Sequence, residues 1–310
     1  MEGPLVSVIT ITRNRGSMIG RCIKSVLGQT YQNFEHIIVD GASNDNTDDV
    51  IASIKDPRLR YIKLDSNWPI PETINKGIKL SKGQFITFLD SDDEYLPAKI
   101  EKQLAKMQTL SEEYGMVYCW MTYYNQKTME VIRIHNPQLK GDVSEDVVEK
   151  PTVSGTPTLF FRRGNFLENG GWKDTDEIGI ISDWEMCARF CQKWKVDFVP
   201  ESLVNVYINH GATRMSENRY HENLLMKQVK FEKYFLSEFS NIFNKYPKKS
   251  FPHLYSLSRA LMIIGRYSEA WPYYMNLVKH RHSIKDMLLL PYSIIKKWKY
   301  GVTNLVGTRS

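Results

Sequence analysis

The sequence predicts an α/β chain, a mostly parallel sheet with helices on both faces, followed by a helical C-terminal region. Three observations predict it. Strand and helix patterns alternate through the first 93 residues, the signature of a parallel sheet covered on both sides. Polar clusters close the strands at their carboxyl ends, where ligands bind such sheets. The charge then changes sign: from Arg219 onward 16 Lys+Arg stand against 5 Asp+Glu (+11), leaving 25 against 30 (−5) before it. An acidic first part and a basic tail point to two organisations, 1–218 (with halves 1–110 and 111–218) and 219–310.

The elements follow in order. Val6–Ile11 (VSVITI) is apolar and β-branched, a buried strand, bounded by the polar Thr12–Gly16. Ser17 is a candidate cap for a helix whose Ile19, Cys22, Ile23, Val26 and Leu27 recur at helical spacing. Phe34–Val39 is a second strand ending at Asp40, followed by the turn-rich Gly41–Thr47 and a short helix with Val50, Ile51 and Ile54. Leu59–Leu64 is strand three, and Pro71 opens a helix through Ser81. Gln84–Leu89 is strand four, ending in Asp90-Ser91-Asp92-Asp93, and a helix runs over Pro97–Leu110. Beyond it, Met116–Tyr124, Thr158–Arg162, Val196–Val199 and Val204–Ile208 have strand patterns and Ile181–Trp194 a helical one, with mostly helix after Glu217.

Composition narrows the classes. With 310 residues, 42% hydrophobic and 25% charged, the chain has the make-up of a folded protein. Cys22, Cys119, Cys187 and Cys191 form no CxxC pair, so neither a zinc site nor a disulfide framework is indicated. No run of about 18 apolar residues suggests a membrane span. The opening residues lead straight into a strand rather than a leader, so a reducing, cytoplasmic setting is expected. Neither GxGxxG nor GxxxxGK[ST] is present, which removes the two commonest nucleotide-binding readings.

The sharpest chemical signal is the triplet of carboxylates in FLDSDD, Phe88–Asp93. Placed directly after a buried strand, they repel unless a cation or donors neutralise them. A hard divalent ion, Mg²⁺ or Mn²⁺, takes one or two carboxylates and completes its shell with water and phosphates. The bland alternative is an acidic turn before the Pro97 helix. Asp40, followed by small residues, is suited to accept hydrogen bonds from a base or ribose, or else to cap an ordinary Asx-rich turn.

In combination, VSVITITRNR, QTYQNFEHIIVDGASNDNT, ETINKGI and KGQFITFLDSDD resemble, in order and spacing, the inverting family 2 glycosyltransferases of the GT-A fold over roughly residues 4–216. The resemblance implies that Thr12, Arg13, Asn14 and Asp40 hold the nucleotide, with Asn75 nearby. It implies Asp90 on the ribose side and Asp92 on a metal at the diphosphate. Two departures stand out. Ile11-Thr12-Arg13-Asn14 replaces the usual Pro-Thr-Tyr-Asn, putting a guanidinium where a tyrosine stacks, and Asp40-Gly41-Ala42-Ser43 lacks one carboxylate of Asp-Asp-Gly-Ser. Uridine remains the family-weighted base.

On the acceptor side, IISDWEMCARF resembles the family's helix that bears the base, which implies Asp183, with Glu185 as fallback; Asp183 is equally a helix N-cap by type. Gly170-Gly171 permits a tight turn that either presents Trp172 to a sugar or lets it pack underneath. His210 is a candidate ligand for metal or diphosphate, and Arg214 for the leaving phosphate, although each is also an ordinary surface residue by type. In the tail, apolar residues join Lys and Trp over 286–300, the make-up of a segment lying on an anionic membrane; packing of helices is the alternative. Scattered basic residues and an acidic first part leave no expectation of nucleic-acid binding.

The resulting expectation is a metal-dependent inverting transferase, with Mn²⁺ or Mg²⁺, moving sugar from a nucleotide-diphosphate sugar (UDP-sugar favoured) to a glycan or lipid-linked acceptor. It is expected in the cytoplasm, peripheral to the membrane's inner face. The rivals are a sugar-nucleotide nucleotidyltransferase, which should carry a glycine-rich N-terminal loop where only Gly16 stands, and an inactive nucleotide- or sugar-binding module.

Overall fold

The computed structural model describes residues 3–153, 155–179, 183–208 and 222–281. Two compact units emerge. The first comprises the described residues of Met1–Val147, Pro151–Thr175 and Ile181–Ala212, the second those of Val148–Lys150, Asp176–Ile180 and Thr213–Ser310.

The first unit is built on β1 (Val6–Thr12), β2 (Phe34–Asp40), β3 (Leu59–Lys63), β4 (Phe85–Phe88), β5 (Glu94–Tyr95), β6 (Tyr114–Asn125), β7 (Val131–His135), β8 (Leu159–Arg162) and β9 (Lys195–Ile208). Its helices are α1 (Ile19–Leu27), α2 (Thr47–Ser53), α3 (Ile70–Leu80), α4 (Lys99–Gln108), α5 (Ser144–Val147), α6 (Arg163–Glu168), α7 (Thr175–Ile178, which runs into the second unit) and α8 (Asp183–Phe190). One sheet joins the strands in the order β3-β2-β1-β4-β8-β6-β9-β5, with β7 on β6. β1 to β4 are mutually parallel, as the alternation predicts. The other half is mixed: β8 runs antiparallel to β4 and β6, whereas β9 is parallel to β6.

Burial explains the strands. Val6, Val8, Ile37, Ile38, Val39 and Ile86 are fully buried because both sheet faces are covered. On one face, Ile19, Cys22, Ile23 and Val26 of α1 and Ile100, Leu104 and Met107 of α4 pack on β1, β2 and β6. On the other, Ile37 and Val39 meet Leu64, Trp68 and Leu80. There α3 rides close to the sheet. A Cβ at Gly77 would fall 2.6 Å from Ile9 Cγ2 and 3.3 Å from Val39 Cγ2, so only glycine allows this approach.

Three expectations need correction. Ser17 caps nothing: α1 is preceded by Met18, whose N–H donates to the Arg15 carbonyl at 2.8 Å. The two strands at 196–199 and 204–208 are one, β9, irregular where Pro200 and Glu201, and then Leu203, have no partner on β6; proline lacks the N–H a ladder needs. β7 was not foreseen, since its alternation is obscured by exposure of Val131, Ile132, Arg133 and Ile134 alike.

The second unit is helical: α9 (Glu222–Glu238), α10 (Ser240–Lys245), α11 (Phe251–Ile263) and α12 (Tyr267–Arg281). Several of its aromatic residues form its core. Phe231, Phe235, Phe239 and Phe243 are buried, with ring centroids 5.4 Å apart for Phe231–Phe235 and 4.6 Å for Phe235–Phe239. Buried His253 stacks on Phe235 at 4.5 Å, and its nitrogens lie 2.8 Å from Glu232 Oε2 and 2.6 Å from the Val148 carbonyl. No described helix is long and apolar enough to cross a membrane.

The Gly77 approach is testable. Gly77→Val should lower unfolding free energy by about 1–3 kcal/mol, the range for overpacking a well-filled interface, measured by urea denaturation.

Candidate active site

The order β3-β2-β1-β4 puts the chain's change of direction at β1, and crevices form beyond the carboxyl ends of strands at such a point. Two loops are stapled together there by backbone geometry. Gly41 N–H donates to the Thr12 carbonyl (2.9 Å), Asn14 N–H to Ser43 Oγ (2.8 Å), Asn44 N–H to Asn14 Oδ1 (2.9 Å), Arg15 N–H to Thr47 Oγ1 (2.9 Å) and Gly16 N–H to Asp45 Oδ2 (3.0 Å). The Asx-rich stretch after β2 is thus a set of staples. Asn14 (φ 51°) and Ala42 (φ 59°) adopt left-handed backbone to make the fit. Arg13 and Asn14 are exposed, while Thr12 is buried with its hydroxyl lacking a hydrogen-bond partner among the described residues.

Asp40 is closed to solvent. Its Oδ1 accepts from Ser43 N–H (2.9 Å) and Ser43 Oγ (2.6 Å), and its Oδ2 from the Tyr61 hydroxyl (2.6 Å). Burial, and then this carboxylate, push the Tyr61 phenol up. In this conformation Asp40 orders the loop; a base edge reaches it only by displacing those donors.

The carboxylates after β4 divide by exposure: Asp90 is exposed, Asp92 half-buried and Asp93 buried. Asp93 Oδ1 accepts the Tyr207 N–H at 3.1 Å, and Arg21 of α1 donates to the Asp92 carbonyl at 2.6 Å while its guanidinium lies 3.7 Å over the Tyr207 ring. Beneath them, buried Lys99 donates to Thr87 Oγ1 and sits 4.0 Å over the Tyr95 ring; the Tyr95 hydroxyl donates to the Phe88 carbonyl at 2.5 Å. These bonds tie the two ends of the acidic loop, Phe88 and Tyr95. Arg21 and Tyr207 escaped the sequence reading because each lies far along the chain from the motif it holds; Lys99 is close to it but reads as an ordinary helix lysine. A lysine at the start of a helix pattern is the commonest of solvated residues.

The residues expected on the acceptor side are tied to one another and to α3. Asn75 of α3 donates from Nδ2 to the Trp172 carbonyl (2.8 Å) and accepts the Trp172 N–H at Oδ1 (3.1 Å). Gly171 (φ +71°) permits that clasp, since a Cβ there would lie 2.5 Å from Asn75 Oδ1. Burial bears on two of the readings here. Trp172 is 4% exposed, its ring 4.8 Å from Phe88 and 5.5 Å from Phe166, so it packs under the loop and offers no sugar platform. Glu185 is fully buried and paired with Arg189 at 2.9 and 3.0 Å, and Arg189 also donates to the Asn169 and Gly171 carbonyls. It serves as a buried counter-ion and cannot stand in as an acceptor-side base. Asp183, by contrast, is half-buried at the start of α8, where its Oδ2 accepts the Gly155 N–H at 2.7 Å. The phenol of Tyr123 on β6 is pushed up, by burial first.

Among the described residues no three metal-ligating side chains cluster together. The donors on offer are the hard oxygens of Asp90 and Asp92, which fit an ion completed by water and phosphate oxygens. His210, Arg214 and residues 286–300 lie outside the described residues.

A family model described as "Glycosyl transferase family 2" matches residues 7–171, just over half the chain. The chain belongs to glycosyl transferase family 2. This family 2 enzyme is 33% identical over 71% of its length to an uncharacterized glycosyltransferase of Rickettsia conorii, though it spans only 36% of that protein. It is 37% identical over 40% of its length, and 47% of the relative's, to the Escherichia coli UDP-Glc:alpha-D-GlcNAc-diphosphoundecaprenol beta-1,3-glucosyltransferase WfaP. Among solved structures it is similar to S. aureus TarS in complex with UDP-GlcNAc (TM-score 0.60, 16% identity, 96% of this chain and 92% of that one). The mannosyltransferase PcManGT of Pyrobaculum calidifontis, in complex with GDP-Man and Mn²⁺, gives a TM-score of 0.57 at 14% identity, over 95% and 81%. The likeness establishes the GT-A arrangement with an added C-terminal helical region.

Two outcomes test these buried charges. Arg189→Ala leaves Glu185 buried without its partner and should destabilise the enzyme by about 3–5 kcal/mol in chemical denaturation. Burial lowers the Lys99 pKa to about 7. Between that value and the unfolded lysine's, about 10.4, the unfolded chain holds a proton that the folded chain lacks, so stability gains with rising pH. The stability advantage of Lys99→Met over the natural chain should therefore shrink by about 1.4 kcal/mol per unit from pH 7 to 10.

Proposed function

We propose that this glycosyltransferase moves a sugar from a nucleotide-diphosphate sugar, a UDP-sugar foremost, to a hydroxyl of a glycan or lipid-linked acceptor, inverting the anomeric centre. The observation that carries the reading is that the stapled loops after β1 and β2 and the acidic loop after β4 leave three adjacent parallel strands at the same carboxyl end. Asp183, held by the Gly155 N–H at the start of α8, adds a carboxylate suited to act as base. TarS with UDP-GlcNAc and WfaP, named for UDP-Glc and a diphosphoundecaprenol acceptor, support the donor and acceptor classes.

In this reading Thr12, Arg13 and Asn14 line the base and ribose side, with Asp40 and Asn75 fixing the loops that hold them. The buried, unpartnered Thr12 hydroxyl is suited to a ligand polar atom, because leaving it unmatched costs about 1–3 kcal/mol. Asp90 faces the ribose. Asp92 would hold Mn²⁺ or Mg²⁺, and such an ion, when bound, supplies positive charge beside the departing diphosphate; PcManGT with Mn²⁺ supports this part. Asp183 accepts the acceptor hydroxyl's proton as that oxygen attacks the sugar carbon opposite the leaving group. Its bond from Gly155 N–H keeps one oxygen fixed and leaves the other to serve as base. One displacement inverts the centre. Residues 1–218 form the catalytic part and 219–310 a helical accessory region, with 286–300 touching the inner face of the membrane.

The test pairs thermal shift with transfer. UDP-, GDP- and dTDP-sugars, with and without Mn²⁺, should raise Tm to different extents, the UDP-sugar most. Asp183→Asn should keep that nucleotide shift and lose about 10²–10⁴-fold in transfer. Asp92→Ala should lose the Mn²⁺-dependent part of the shift. An Asp183→Asn variant that transfers within a few-fold of the natural chain removes the base assignment, and the absence of any nucleotide shift removes the donor class.

A further inference from the structure

We propose that Arg21 is a positioning residue for Asp92: by holding the peptide from which the Asp92 side chain departs, it sets how tightly the acidic loop takes a divalent ion. The inference rests on the reading of Asp92 as the metal-holding carboxylate and names a group, distant in sequence, that tunes it.

The loop has few anchors at that residue. Asp90 to Asp93 make a four-residue turn, closed by the Asp93 N–H donating to the Asp90 carbonyl at 3.0 Å. Asp93 is fixed again through its side chain, which accepts the Tyr207 N–H of β9 at 3.1 Å. The turn's own bond makes no use of the carbonyl of its third residue, Asp92, and there Arg21 Nη2 donates at 2.6 Å. A carboxylate's reach depends on where its backbone stands, and groups one step removed from an ion commonly change its affinity by about 10–100-fold.

Arg21 heads a row. Residues four apart on a helix lie one above the other. Positions 21 and 25 of α1, with Gln29 just past its end, meet the chain after β4 in matching order. Arg21 takes the Asp92 carbonyl, and Ser25 Oγ accepts the Tyr95 N–H at 3.1 Å. Gln29 donates to the Leu96 carbonyl at 2.8 Å and accepts the Ile100 N–H at 3.0 Å. Ser25 and Gln29 thus hold the stretch that leads into α4, whereas Arg21 holds the acidic turn.

The guanidinium is placed for that bond rather than for solvation. Its carbon lies 3.7 Å over the Tyr207 ring, and its Nε is shut away from water with no hydrogen-bond partner among the described residues. An arginine free to choose its rotamer would turn that nitrogen to water; here the stack and the Asp92 bond fix the plane. Its charge works in the opposite sense, since it repels an incoming cation. That charge is one against three carboxylates in the same turn, so the clamp is the larger effect. The two differ in sign: losing the clamp weakens the ion, losing the charge strengthens it.

The experiment titrates Mn²⁺ into the full chain with UDP present, reading free Mn²⁺ by electron paramagnetic resonance. Arg21→Met should raise the Mn²⁺ Kd about tenfold. Arg21→Lys, which keeps the charge but not the planar fork, should fall between it and the natural chain. Ser25→Ala should lower Tm yet leave the Mn²⁺ Kd unchanged. On an Asp92→Ala background, Arg21→Met should alter UDP affinity no further, because it acts through Asp92. A Kd for Arg21→Met that is unchanged or tighter overturns the inference. So does an Arg21→Lys Kd equal to the natural chain's, even where Arg21→Met does not fold, or an equal loss in Ser25→Ala. If the natural chain takes no Mn²⁺, or Asp92→Ala takes it as well, the metal reading of Asp92 falls and this inference with it. A chain that needs Asp92 for Mn²⁺ but not Arg21 keeps that reading and loses only this one.

Discussion

The crevice depends on how its negative charges are held. Crowded carboxylates are tolerated only where donors or cations meet them, and here each buried one has a dedicated partner drawn from elsewhere in the chain. Asp40 takes Ser43 and Tyr61, Asp93 takes the Tyr207 backbone, and Glu185 takes the Arg189 fork. Asp183 keeps one oxygen on the Gly155 backbone. Asp90 is exposed and Asp92 half-buried. Much of the local acidity thus fixes loops.

That division explains what was legible beforehand. The parallel half of the sheet was legible because buried, β-branched strands alternate with amphipathic helices in a short span. The crevice was legible because polar clusters closed those strands. The roles inside the clusters were not. Asp40 and Asp90 look alike in sequence, each the first aspartate after an apolar strand, yet one is sealed and the other is exposed. Trp172 follows a glycine pair that suits an exposed turn as well as a buried one, and only the aromatic cluster of Phe88 and Phe166 decides between them. Mixed pairing of β6, β8 and β9 depends on contacts between segments 40 to 80 residues apart, for which local pattern carries no information.

The helical tail teaches a related lesson. Its composition suits either packed helices or a membrane surface. Over 222–281 several of the aromatics, Phe231, Phe235, Phe239 and Phe243, are buried in a core, while the segment 286–300 that carries the membrane reading lies outside the described residues. Composition alone does not separate an interfacial helix from a small helical bundle, because both need large apolar groups and charged neighbours.

One feature of α3 reaches further than its own packing. Gly77 lets the helix settle against Ile9 and Val39, and two residues earlier the same helix carries Asn75, from which the Trp172 turn hangs. The two form a lever: the sheet's side chains set how deep the helix seats, and the helix sets where the Trp172 turn stands. The placement of that turn is therefore governed partly by methyl groups it never touches, and resizing Ile9 or Val39 is a way to shift it from a distance.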